Sequence, residues 1–218
     1  METSIKVKIC GIKDTEALTC CLEEGADFIG LNFSPVSARN ISPQTAAKLL
    51  SYLENSSAGL EKPKVVFLFY KTPLPLIKFI LKELPHDFRQ WVTDDPLLPG
   101  LTSPLLGPYS KRIYSHRVTH REDDDSLTYL HSPLLILDSF VPGMGGGTGE
   151  SFPWEFIKDV KRPFLLAGGL KPENVEKAVR TVKPYGVDVA SGVESSPGVK
   201  DPNLIRQFIR NAKKSHTQ

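Results

Sequence analysis

Short apolar, often β-branched runs alternate along the chain with segments whose apolar side chains recur every three or four positions. Runs of the first kind suit strands covered on both faces, and the others suit helices with one apolar stripe. Their alternation predicts successive βα units around a parallel sheet. Val7 to Ile12 is the first expected strand. Asp14 is placed to open the next helix, which carries Ala17, Leu18, Cys21 and Leu22 on one face and stops at Gly25. Phe28 to Phe33 is the second strand; Ser42 and Pro43 then begin a helix with Ala46, Leu49, Leu50 and Leu53 at helical spacing. Lys64 to Tyr70 is the third strand, ahead of a helix bearing Leu76, Ile77, Ile80, Leu81 and Leu84, and Phe88 to Thr93 is the fourth.

After the fourth strand the rhythm falters. Pro96, Pro99, Gly100, Pro104, Gly107 and Pro108 interrupt any long helix there. A fifth strand is expected around Lys111 to Val118, followed by a helix from about Arg121 to Leu130. The acidic run Arg121-Glu122-Asp123-Asp124-Asp125 reads as the solvated start of that helix rather than as a metal site. Regularity then returns. Leu134 to Ser139 is a strand ending in a carboxylate, with the glycine-rich Gly143 to Gly149 behind it. Phe164 to Leu170 runs into Gly168-Gly169, and Pro172 starts a helix. Gly186 to Glu194 supplies the eighth strand and its exit loop, and Asp201-Pro202 caps a last helix with Leu204, Ile205, Phe208 and Ile209 inward. Eight strands with interleaved helices and no linker in 218 residues predict one α/β domain over 1–218. The expected fold is a closed (β/α)8 TIM barrel, irregular after strand 4, with an open doubly wound sheet as the alternative.

Composition narrows the function classes. Hydrophobic residues at 40% and charged residues at 24% allow a sizeable core, so disorder need not be invoked. A net charge of +2 is too small for a nucleic-acid or membrane surface. No apolar run approaches the roughly 20 residues that cross a bilayer, and Met1-Glu2-Thr3-Ser4 is unlike a signal peptide. Three cysteines, Cys10, Cys20 and Cys21, make a poor disulfide framework, which points to a soluble cytoplasmic protein.

In such barrels chemistry gathers at the carboxyl ends of the strands. The first expected strand ends in Cys10-Gly11, the second in Asn32 and Phe33, the fourth near Gln90, the sixth at Asp138, the seventh at Gly168-Gly169, and the eighth at Asp188 with Ser191-Gly192. Cys10 acts as a base only as a thiolate, and its other reading is a small buried hydrophobe; for Cys20 and Cys21, inside a helix, packing is the expected role. The apolar run before Asp138 favours a carboxyl that keeps a proton to donate, although a helix-capping role also fits. Glycine-rich turns bind phosphate through backbone amides. Gly168-Gly169 and Ser191-Gly192 lie where such sites form, and Gly146-Gly147-Thr148-Gly149 adds a third loop. Arg39, after strand two, is suited to a substrate carboxylate but would also serve as a surface arginine.

Several of these segments together resemble the phosphoribosylanthranilate isomerases. They are Lys8-Ile9-Cys10-Gly11-Ile12, Gly25 to Gly30, Phe33-Ser34-Pro35 with Ser37 to Ser42, Leu137-Asp138-Ser139, Gly146 to Gly149 with Phe152 and Trp154, Ala167 to Val175, and Val187 to Glu194. The resemblance spans nearly the whole chain. It implies an Amadori rearrangement of a phosphorylated small-molecule substrate in tryptophan biosynthesis, without metal or organic cofactor. Asp138 would then be the general acid, Cys10 the general base and Arg39 the carboxylate partner, with the backbone of Gly147, Gly169 and Gly192 around the phosphate. One departure stands out: Val92 occupies the place of the family's usual histidine in Gln90-Trp91-Val92-Thr93. Another sugar-phosphate barrel enzyme, or a barrel that only binds a phosphorylated ligand, remains the alternative, and a monomer or a homodimer is expected.

Overall fold

The computed structural model describes residues 4–56, 59–95, 103–138 and 154–214. Eight parallel strands close into a barrel in chain order: β1 (Lys6–Cys10), β2 (Phe28–Asn32), β3 (Lys64–Phe69), β4 (Phe88–Val92), β5 (Arg112–Arg117), β6 (Leu134–Asp138), β7 (Phe164–Ala167) and β8 (Gly186–Val189). β8 pairs back onto β1, with Lys8 aligned with Asp188. That closure sets aside the open sheet.

The helices α1 (Thr15–Glu23), α2 (Pro43–Ser56), α3 (Leu74–Glu83), α4 (Val175–Val182) and α5 (Pro202–Lys214) begin and end largely where local chemistry dictates. Asp14 Oδ1 accepts the amide of Ala17, and Gly25, at φ +68°, takes the left-handed turn that ends α1. Ser42 Oγ accepts the amide of Thr45, and Asp201 Oδ1 accepts those of Asn203 and Leu204. Pro172 does not open a helix. It sits in a turn, and α4 starts at Val175 because Asn174 Oδ1 accepts the Lys171 amide and holds the preceding loop as a turn.

The expected helix from Arg121 to Leu130 is absent. Its residues form turns, because their polar groups find partners outside a helical ladder. Glu122 is buried, accepts the Ser126 hydroxyl and lies 3.0 Å from His116 Nε2. Asp124 Oδ1 accepts the backbone amides of Lys161 and Arg162. The acidic run is therefore not a solvated helix start but a tie between loops. Between β4 and β5 the described residues form a turn at Thr93 and Asp94 and two short 3-10 helices, Pro104–Leu106 and Tyr109–Lys111, in keeping with the prolines there.

Strand alternation divides the apolar residues into two sets. Val7, Ile9, Leu31, Phe67, Leu135, Leu137, Val187 and Val189 pack outward against the helices. Phe28, Val66, Ile113, Leu134, Ile136, Leu165 and Ala167 fill the barrel itself. By the same alternation Lys8 and Cys10 share the interior face of β1, as Gln90 does on β4 and Asp188 on β8. A polar layer thus lies toward the carboxyl ends of the strands.

Candidate active site

Cys10 is the last residue of β1 and is buried. Beside it on β2 stands Gly30, aligned with Cys10 in the register. A Cβ at Gly30 would lie 2.8 Å from Cys10 Sγ and 3.0 Å from its Cα, so the thiol occupies space that only glycine leaves. One pleat below, Lys8 is wholly buried and its Nζ donates to Asp188 Oδ1 at 2.9 Å. Burial would strip the Lys8 proton, but the neighbouring Asp188 carboxylate, helped by Cys10, holds the ammonium pKa above its usual value. A fixed cation consequently lies next to the thiol.

Asp138 ends β6, aligned with Arg117 on β5 and Ala167 on β7. Its carboxyl is pushed up to about 6, first by burial and then by the negative charge of Asp188; Arg117 pulls the other way and Asp94 adds to the rise. The influence of Asp188 ties Asp138 to the same interior that holds Lys8 and Cys10. The site therefore pairs an acid that can stay protonated with a thiol beside a buried cation.

Arg39, in the loop after β2, is held by the carboxylate of Glu194 through Nε at 2.7 Å and Nη2 at 2.8 Å. Its stem lies over Gly11, the residue after Cys10: a Cβ there would come within 2.8 Å of Arg39 Cδ. Near it, the loops after β7 and β8 meet. Gly168 and Gly169 have φ of +85° and +62°, and the Asn174 side chain donates to the Gly169 carbonyl at 3.0 Å. A Cβ on Gly192 would fall 1.8 Å from the Leu170 carbonyl oxygen, so the two loops touch at that glycine. Ser191 opens the short 3-10 turn Ser191–Val193 and is exposed at this end of the barrel. Gly147 and the rest of the Gly143 to Gly149 loop lie outside the described residues.

The model of the family described as N-(5'-phosphoribosyl)anthranilate isomerase matches residues 7–211. The chain belongs to that family. A Leptospira interrogans protein named N-(5'-phosphoribosyl)anthranilate isomerase is 51% identical over 208 residues, covering 95% of this chain and 94% of that one. Among solved structures, phosphoribosyl anthranilate isomerase from Thermotoga maritima superposes with a TM-score of 0.77 at 32% identity, covering 96% of this chain and 99% of that one. A phosphoribosyl anthranilate isomerase in complex with reduced 1-(o-carboxyphenylamino)-1-deoxyribulose 5-phosphate gives 0.71 at 30%, covering 96% and 99%. The family comprises isomerases of tryptophan biosynthesis, enzymes of the aldose–ketose kind.

Against this family background, the structure brings Cys10, Asp138 and Asp188 to one barrel interior and Arg39 to its rim, with Gly168, Gly169, Ser191 and Gly192 in the loops beyond. Asp188 faces Lys8 inside the barrel. Three residues in this region escaped sequence reasoning: Lys8, Glu194 and Lys200. Lys8 carried a usable signal, because its position two residues before Cys10 puts it on the same strand face. Glu194 and Lys200 carried none, since their roles depend on a chain crossing. Gln90 is buried on β4, and its Oε1 has no hydrogen-bond partner among the described residues. No helix among those residues is long and apolar enough to cross a membrane.

Proposed function

We propose that the chain isomerises N-(5'-phosphoribosyl)anthranilate to 1-(2-carboxyphenylamino)-1-deoxyribulose 5-phosphate, with Asp138 as general acid and Cys10 as general base. Asp138 donates its proton to the furanose ring oxygen. The C1–O bond breaks, and the nitrogen lone pair forms the C1=N bond of a Schiff base. The Cys10 thiolate then removes the C2 proton; that C–H pair becomes the C1=C2 bond, and the C=N pair returns to nitrogen. The resulting enolamine gains a proton at C1 and loses one from the C2 hydroxyl, leaving the ketone.

The observation that carries this reading is the Asp138 carboxyl, raised to about 6 in the interior that also holds Cys10. An acid at that value keeps part of its proton near neutrality, where an ordinary aspartate has lost nearly all of it. Arg39 takes the anthranilate carboxylate, and the backbone of Gly168, Gly169, Ser191 and Gly192 surrounds the phosphate, with Gly147 as a further contact. Lys8 and Asp188 support the reacting end from below. The enzyme works in the cytoplasm as one domain and as a monomer or homodimer; dimeric phosphoribosylanthranilate isomerase and monomers generated from it are both known from Thermotoga maritima.

The test is turnover of chemically generated phosphoribosylanthranilate by the purified protein, followed by Cys10→Ala and Asp138→Asn. Each change should lower kcat by at least ~100-fold, the lower end of what general acid–base groups supply. Normal turnover by Cys10→Ala rejects this mechanism. Absence of turnover by well-folded wild-type protein favours another sugar-phosphate reaction.

A further inference from the structure

Beyond β8 the chain forms a small antiparallel hairpin, β9 (Glu194–Ser196) and β10 (Val199–Lys200), outside the barrel sheet. Its first residue, Glu194, has a side chain only 3% exposed, and four donors converge on it. Oε1 accepts Arg39 Nε at 2.7 Å and Lys200 Nζ at 2.8 Å; Oε2 accepts Arg39 Nη2 at 2.8 Å and the Gly198 amide at 3.1 Å. Lys200 Nζ also donates to the Ala190 carbonyl at 2.7 Å, which ties the hairpin to the end of β8. At the tip Gly198, with φ +81°, presses on the Arg39 loop so closely that a Cβ would lie 2.4 Å from the Ala38 carbonyl oxygen. Lys13 Nζ holds the same carbonyl at 3.0 Å.

A guanidinium offers five N–H groups around a planar fork. Glu194 engages the edge made by Nε and Nη2, so the second edge, made by Nη1 and Nη2, turns away from it. A long arginine alone loses much rotamer freedom when it grips a ligand, a cost that prior fixation removes. The cluster also has a definite charge. Arg39 and Lys200 against Glu194 leave one net positive charge, which matches one carboxylate. Because Glu194 keeps Lys200 and the Gly198 amide as partners, a ligand carboxylate has no reason to displace it.

We propose that Glu194 is a positioning residue: anchored by Lys200 and the hairpin, it fixes Arg39 so that the second guanidinium edge receives the substrate carboxylate. This rests on the reading of Arg39 as the carboxylate partner. It assigns the β9–β10 hairpin a part in substrate selection, acting through Arg39 without touching the substrate.

The experiment compares two fragment inhibitors on the full-length enzyme: anthranilate, which carries the carboxylate, and ribose 5-phosphate, which carries the phosphate. Glu194→Gln keeps the shape but removes the charge that holds Arg39. It should weaken inhibition by anthranilate about 10-fold, the scale of one charge-assisted hydrogen bond, and leave ribose 5-phosphate within about twofold. With the true substrate, KM should rise by a larger factor than kcat falls. If charge alone mattered, Glu194→Gln would raise the local charge by one unit and tighten anthranilate; that result overturns the proposal, as does equal weakening of both fragments. Gly198→Ala, which forces the hairpin off the Arg39 loop without changing charge, should show the same selective loss and serves if Glu194→Gln is too unstable to assay. Arg39→Ala separates the two readings. Unchanged anthranilate inhibition in Arg39→Ala removes Arg39 from the site; loss there, without loss in Glu194→Gln and Gly198→Ala, overturns only the role of Glu194.

Discussion

Lys8 Nζ donates to Asp188 Oδ1 at 2.9 Å across the seam where β8 closes the barrel on β1, and Lys8 has no exposed surface. Burial works against the Lys8 ammonium, and the Asp188 carboxylate keeps it charged. Lys8→Met should therefore strand the Asp188 carboxylate and destabilise the protein by about 3–5 kcal/mol in urea unfolding. The double change Lys8→Met with Asp188→Leu should recover most of that loss, because replacing a buried ion pair by apolar groups is often neutral. A double variant no more stable than the single one would show that the pair does more than neutralise itself.

Asp138, as the proposed general acid, should couple activity to stability with opposite signs. Its carboxyl sits at about 6 in the folded protein, above its ordinary value of 3.8, so the folded state binds the proton more tightly than the unfolded chain. The associated stability is fully present below about pH 4 and is lost as pH rises through about 6. Asp138→Asn should then unfold at a higher temperature than wild type at pH 8, by an equivalent of about 1–2 kcal/mol once partial solvation is allowed for, and the gap should close near pH 4. A gap of the same size at both pH values would mean that ionisation of Asp138 is not its source.

Gly30 is expected to matter more for rate than for folding. A methyl group there meets the Cys10 sulfur at 2.8 Å and can be relieved only by moving the thiol or β1. Displacement of a reacting group by about 1 Å typically costs on the order of 100-fold in rate. Gly30→Ala should accordingly lower kcat by at least about 10-fold while most of the fold's stability survives. Full activity together with an intact fold would mean that Cys10 does not need its observed place.

Gly192 is the reverse case. The obstruction is the Leu170 carbonyl at 1.8 Å, part of a backbone that links the loops after β7 and β8 and cannot swing aside like a side chain. Gly192→Ala should destabilise by at least about 2 kcal/mol, in the range of strained-backbone substitutions, and should weaken inhibition by ribose 5-phosphate. Retention of both stability and phosphate-fragment inhibition would take this loop contact out of the account.

Much of the molecule was legible without coordinates because it depends on near neighbours in sequence. The Asp14, Ser42 and Asp201 caps each act within four residues, Gly25 ends α1 by its own backbone freedom, and buried strands announce themselves as unbroken apolar runs. Cys10 and Asp138 could be singled out because a barrel gathers strand ends at one face, so that knowing where a strand stops is nearly knowing where the chemistry lies. The Arg121 to Leu130 stretch shows the limit of that reasoning. Its pattern suits a helix, but burial of Glu122 against His116 and the hold of Asp124 on the Lys161 and Arg162 amides favour turns, and those partners come from other strands and loops.

By itself, then, the amino-acid sequence determined the eight strands in their order and most of the helices between them, since these follow from propensity, periodicity and capping over short spans. Closure of the sheet decided which residues became partners. Lys8 meets Asp188 across 180 positions, and Arg39 meets Glu194 across 155. Such contacts arise only when a curved sheet returns to its first strand and a hairpin folds back over the barrel mouth. Pairing at that separation leaves no local pattern, because the cost of burying each charge alone is relieved only by a group that folding brings from far along the chain.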